Sequence, residues 1–227
     1  MKAPVALVAA LLVAVAGIAG WQGYRALKDA RSALASLQPG PIDVGFAQSM
    51  ILHHQQAIGM AQFMIDGRPP GLAHAIAFAQ LEELGQMRGW LTLWNQPLQL
   101  AGKPSMDWML LGNEPPGPEL SRYLLDCQRS PTGMTGLATS EQLNALRQAQ
   151  GRERDRQFLS LMLAHHEGGI PMARFAAVQA RLPAVRQLAG RVVMEQSQEI
   201  SRIQFMLQVL ADADATADAA FGTATKN

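Results

Sequence analysis

The sequence predicts an all-α protein: an antiparallel four-helix bundle built from two copies of one helix hairpin, preceded by an apolar N-terminal helix. Three observations carry this. One stretch occurs twice, since Asp43 to Met64 (DVGFAQSMILHHQQAIGMAQFM) returns as Asp155 to Ala176 (DRQFLSLMLAHHEGGIPMARFA) at a constant offset of 112 residues. Asp43/Asp155, Phe46/Phe158, Met50/Met162, His53/His165, His54/His166, Ile58/Ile170 and Met60/Met172 match at that offset. A duplication in two copies indicates a pseudo-symmetric domain and not a solenoid. Secondly, the repeat has helical period: Met50, His53, Ala57, Met60 and Met64 step alternately by three and four, as do Met162, His165, Gly169 and Met172. Thirdly, Ala, Leu, Gln, Met and Arg dominate while alternating β-branched runs are scarce, which favours helix over strand.

From the N-terminus, Lys2 precedes an uncharged run from Ala3 to Tyr24, most apolar over residues 5–19. That is long for a signal segment and adequate for a membrane span. With no A-x-A cleavage site directly after the apolar run of residues 5–19, residues 1–24 read as an uncleaved transmembrane anchor, with a signal segment as the alternative. Residues 25–41 read as stalk and linker, closed by the breaker Pro39-Gly40-Pro41. The duplicated bundle is expected over residues 42–211, with repeats at about 43–95 and 152–211. Asp43 is a candidate N-cap for the first repeat helix, and Gly67 with Pro69-Pro70 its stop. The second helix is expected from Leu72 to about Trp94.

Residues 96–151 form a long proline-rich connection, with short helical pieces expected at 106–111 and 119–127 and a capping-box start at Thr139-Ser-Glu-Gln142. Cys127, the one cysteine, excludes an internal disulfide and a cysteine-rich metal site, and reads as a half-buried thiol. The second repeat helix starts near Arg152 and carries Pro171, which should kink it. The last helix is expected from Ala184 to about Leu210, followed by a flexible tail over 212–227.

The two His-His doublets hold four of the five histidines. On the partner helices Gln80, Glu83, Met87 and Trp90 share a face, as do Gln196, Glu199, Ile203 and Met206. Imidazole suits several transition metals, and thioether adds a preference for soft Cu(I). The candidate metal-site residues are therefore His53, His54, His165, His166, Glu83, Glu199, Met50, Met60, Met87, Met162 and Met172. Methionine also fills ordinary cores, and a helix-face histidine is often only a hydrogen-bonded core residue. Retention of both doublets through a duplication that changed many other positions weighs toward a metal. An inward glutamate needs a partner, and a metal or a histidine N–H serves. His74 lies outside the pattern and reads as surface or structural.

The formal net charge of +1 does not suggest nucleic acid as a partner, and nucleotide-binding glycine patterns are lacking. Neither half contains the Glu-x-x-His of the common di-iron bundles, so carboxylates are too few for that set.

The pattern D-x-x-F-x-x-x-M-(I/L)-x-H-H-x-x-x-I-x-M-A, followed by Q-x-x-E-(I/L) and a W-L or M-L pair, occurs at Asp43–Ala61 with Gln80, Glu83, Trp90 and Leu91. It recurs at Asp155–Ala173 with Gln196, Glu199, Met206 and Leu207. This resembles the bacterial family known as domain of unknown function 305 over roughly Asp43 to Leu210. The resemblance implies a ferritin-like four-helix bundle, exported or membrane-anchored, some members of which bind copper. Three departures stand out: Pro171 inside the motif, Gly169 where alanine is usual, and Leu137 where a second methionine often follows Met134. With the N-terminal run, the resemblance implies a single-pass membrane protein with its bundle outside the cytoplasm, or a secreted or periplasmic one on cleavage. Three functions are compatible with these features. One is copper sequestration or transfer, with a metal donor or acceptor protein as partner. Another is a ferritin-like oxidoreductase with a dinuclear His/Glu centre, and the third is a structural or partner-binding bundle without metal; zinc or iron is the alternative to copper as the bound metal.

Overall fold

Helix-forming composition extends past the apolar run at the N-terminus, and the computed structural model, which describes residues 3–64, 71–99 and 102–224, carries one helix through both. This helix, α1 (Ala3–Ser36), shows no break at the expected anchor–stalk boundary, because Ala, Leu, Lys and Arg continue the helix to Ser36. By length and composition its Leu7–Ala35 segment, with a mean hydropathy of 1.7 over the most apolar 18 residues, can cross a membrane. It belongs to the first of two units, Met1–Gln38.

The second unit, Pro39–Asn227, is all helix and turn among its described residues. It comprises α2 (Pro41–Gln62), α3 (Leu72–Leu93), a 3-10 turn (Asp107–Leu111), α4 (Pro118–Arg129), α5 (Ser140–Gln148), α6 (Gly151–Gln179) and α7 (Pro183–Ala224). α2 packs on α3, α6 on α7, and the two repeat helices α2 and α6 on each other. The α2–α6 pair is antiparallel: Asp43, in the first turn of α2, accepts hydrogen bonds from Arg181 N (3.3 Å) and Leu182 N (2.9 Å), just past the end of α6.

α2 begins before the expected N-cap. Pro41 occupies the first helical turn, where its missing N–H costs nothing, and Asp43 accepts from Gly40 N at 2.7 Å across that turn. α2 closes at Gln62 with tight turns, Phe63 N to Met60 O and Met64 N to Ala61 O. The stop signal expected at Gly67 and Pro69-Pro70 lies outside the described residues. α5 starts as its sequence suggests, with Gln142 N donating to Thr139 Oγ1 (3.3 Å) and Thr139 N to Gln142 Oε1 (2.8 Å). Pro171 sits within an uninterrupted α6. α7 continues well beyond Leu210, to Ala224, in place of the expected flexible tail from 212. Its Ala-rich end favours helix, and Asp214 ties it to α6 through Arg152 (3.1 Å) and Arg156.

The connection is docked on both repeat helices. The Trp108 indole lies against Gly45, where any Cβ would overlap it, and its Nε1 donates to Ser49 Oγ at 3.0 Å. On α6, Gly168 allows the Thr135–Gly136 backbone to approach in the same way, and Tyr123 Oη donates to the Gly168 carbonyl at 3.0 Å. Cys127 is fully buried, deeper than the half-buried thiol expected, with Sγ 3.8 Å from Thr135 Oγ1. The core of this unit comprises two apolar clusters. Phe46, Met50, Met87 and Met172 belong to one, and Met60, Phe158, Met162 and Ile203 to the other. Along both repeat helices the His doublets lie between them.

Candidate metal centre

An α-helix places residues three and four apart on one face, so each His doublet sends one ring along the Met stripe and the other onto its flank. His53 and His165, on the stripes of α2 and α6, meet with ring centroids 3.7 Å apart and planes inclined at 36°. His54 and His166 stand outside this pair, with centroids 6.5 Å from His53 and 6.0 Å from His165 respectively. All four rings are buried.

Hydrogen bonds determine which nitrogen is left over in three of the four rings. His54 Nε2 lies 2.7 Å from Glu83 Oε2, and His166 Nε2 lies 2.6 Å from Glu199 Oε2. A carboxylate only accepts, so a neutral ring donates its Nε2–H and keeps its Nδ1 lone pair. His165 Nε2 likewise donates to the His53 carbonyl oxygen at 2.9 Å. The Nδ1 atoms of His54, His165 and His166, and both ring nitrogens of His53, are buried without a hydrogen-bond partner. Burial, then the neighbouring histidines, hold His53 and His165 well below the ordinary imidazole range. Both are therefore neutral at physiological pH, with lone pairs available.

The two glutamates are unequally sheltered, Glu83 at 7% side-chain exposure and Glu199 at 17%. Each touches the flanking histidine of its own repeat, the arrangement by which a carboxylate orients an imidazole. All five candidate methionines are fully buried. Met50, Met87 and Met172 share one apolar cluster, while Met60 and Met162 lie in the other, where Ile203 occupies the position equivalent to Met87. Among the described residues no three His, Cys, Asp or Glu side chains converge on one point, so the four rings do not by themselves form a closed ligand shell. Buried imidazoles with unpaired nitrogens, between two methionine-bearing clusters, suit a soft cation.

Two further polar side chains belong to this layer. Gln80 and Gln196, each 2% exposed, have neither amide atom hydrogen-bonded. Their positions in the Q-x-x-E pattern, one turn before each glutamate, were the available signal. Gly169 of α6 is a second such feature, because a Cβ there would lie 2.7 Å from His53 Cε1. His74, by contrast, is exposed.

No match was found among functionally curated proteins. Among solved structures, the chain is similar to a DUF305 protein of Streptomyces coelicolor described as secreted, at 30% identity over 75% of this chain and 94% of that one, with a TM-score of 0.62. A DUF305 fragment from Deinococcus radiodurans is 28% identical over 75% and 98% of the two chains, with a TM-score of 0.55. CopM in its Cu(I)-bound form shares the fold at 24% identity over 73% and 95%, with a TM-score of 0.53. The family model for the domain of unknown function DUF305 matches residues 43–207, a span that takes in both hairpins and the connection between them, and the chain therefore belongs to the DUF305 family.

Proposed function

We propose that this protein is an extracytoplasmic copper-binding protein that sequesters Cu(I) or hands it to a partner protein. The observation that carries the reading is the set of four buried imidazoles, each with a ring nitrogen that has no hydrogen-bond partner, flanked by thioethers on the same helix faces. An unpaired buried polar atom costs about 1–3 kcal/mol, which a bound cation offsets. His53, His54, His165 and His166 would supply nitrogen, and Met50, Met60, Met87, Met162 and Met172 sulfur. Cu(I) accepts such a set without thiolate, in keeping with a chain whose one cysteine, Cys127, bonds elsewhere. The shared fold lends support, since CopM has been crystallised with Cu(I), Cu(II) and silver. The apolar α1 and the secreted Streptomyces relative support a location outside the cytoplasm.

Anaerobic Cu(I) titration of the full chain in detergent micelles, against a chromogenic chelator, tests this. Replacing Met50, Met60, Met162 and Met172 with Leu conserves volume closely and should weaken Cu(I) binding. His53/His165→Ala should abolish it. If the leucine variant binds Cu(I) as the parent does while the histidine variant binds no metal, the thioether part is wrong. The centre is then His/Glu, suited to zinc or iron, and the oxidoreductase reading moves ahead. A chain that retains no metal is a structural or partner-binding bundle. A reporter active only outside the cytoplasm, fused after Asn227, tests the location.

A further inference from the structure

Three of the four buried imidazoles have one ring nitrogen tied to an oxygen: His54 to Glu83, His166 to Glu199 and His165 to the His53 carbonyl. His53 has no such tie. A ligating imidazole ordinarily donates its second N–H to a carboxylate or carbonyl, which decides the nitrogen left for the metal. An oxygen able to do this for His53 is close by. From the point where a Cβ on residue 169 would sit, Gln196 Oε1 is 3.0 Å away and His53 Nδ1 3.3 Å away. Gln196 is buried with its whole carboxamide unpaired, and its terminal torsion is the soft one of the side chain.

We propose that Gln196 is the positioning residue of His53. Its carboxamide oxygen accepts the His53 Nδ1–H over the bare Cα of Gly169, and the Nε2 lone pair of His53 is left for the metal. The last clause rests on the copper-binding reading, whereas the Gln196–His53 contact does not. The two repeats are then inequivalent. Ala57 stands in α2 where Gly169 stands in α6, and His165 takes its acceptor from backbone, so Gln80 has no matching duty toward His165. One central histidine offers Nε2 and the other Nδ1.

The test is side-chain NMR of the full chain in detergent micelles, metal-free at neutral pH, with 15N-labelled histidine. The His53 signals are identified by their loss in His53→Ala. The expected result is the Nδ1–H tautomer at His53 and the Nε2–H tautomer at His54, His165 and His166. Gln196→Leu, close in volume and with neither an acceptor nor a metal-binding atom, should remove the Nδ1–H preference of His53, while Gln80→Leu leaves it in place. Cu(I) affinity should fall about 10–100-fold in Gln196→Leu, the usual effect of losing an orienting partner. An Nε2–H tautomer at His53 in the parent overturns the proposal, as does a His53 signal unmoved by Gln196→Leu. If Gln196→Leu fails to fold, the parent spectrum decides alone. A chain that binds no Cu(I) but shows the Gln196-dependent tautomer keeps the contact and loses the metal reading.

Discussion

Adding one methyl group at Gly169 tests the geometry at the centre of the bundle. In Gly169→Ala the new Cβ would lie 2.7 Å from His53 Cε1 and 3.0 Å from Gln196 Oε1, both on buried side chains. Helix propensity favours the substitution by about 0.8–1.0 kcal/mol. Overpacking a filled core costs about 1–3 kcal/mol. The sum runs from neutral to about 2 kcal/mol destabilising. Gly59→Ala in α2 is the comparison, because its Cβ would meet nothing within 4 Å. There the propensity term stands alone, a gain of about 0.8–1.0 kcal/mol. Urea unfolding of the metal-free chain, followed by tryptophan fluorescence, should therefore separate the two alanine variants by about 1–3 kcal/mol. Equal stabilisation by both would refute the seating of His53 and Gln196 against the backbone of α6.

Acid should destabilise the metal-free protein. His53 and His165 are held below the ordinary imidazole value in the folded state, chiefly by burial, so the unfolded chain takes up these protons first. Stability is full above the unfolded value near pH 6.5 and falls as pH drops through it, by about 1.4 kcal/mol per pH unit for each ring; a flat unfolding profile between pH 7.5 and 5 would contradict this. Asp43→Ala removes an acceptor for three backbone N–H groups, at Gly40, Arg181 and Leu182, and should cost about 2–4 kcal/mol in the same urea assay, whereas a loss below 1 kcal/mol would mean that water replaces it. Tyr123→Phe deletes one buried hydrogen bond to the Gly168 carbonyl and should cost about 1–2 kcal/mol, with no change expected in the far-UV spectrum.

The four-helix core is legible in the chain because burial of a stripe leaves a periodic mark, and the duplication doubles that mark. The pieces of the connection are legible for a different reason: Pro118 and Thr139 announce helix starts through local chemistry. Helix ends are less so. Asp43 acts from inside the first turn, because Gly40-Pro41 already supplies the start, and its second duty spans the sequence to Leu182. Near residue 212 the apolar period fades, so only Ala-rich composition favours the continuation of α7, and its anchor is the remote pair Arg152 and Arg156. Gln80 and Gln196 show in sequence only through the helix face and the Q-x-x-E pattern they share with Glu83 and Glu199. Gly169 shows in sequence only as a departure from the usual alanine, and what it accommodates is a ring from the other half of the chain.

The four imidazoles have no solvent-facing surface. For the proposed copper binding, burial of this kind separates how tightly a metal would be held from how quickly it would arrive. Anything that reaches the rings waits for the helices to part, a local opening with its own free energy and rate. Uptake would then accelerate with metal concentration only until that opening became the slow step, after which more metal would change nothing. Release would run on the same clock, so a contact that pries α2 from α6 would hasten it without altering any bond to the metal.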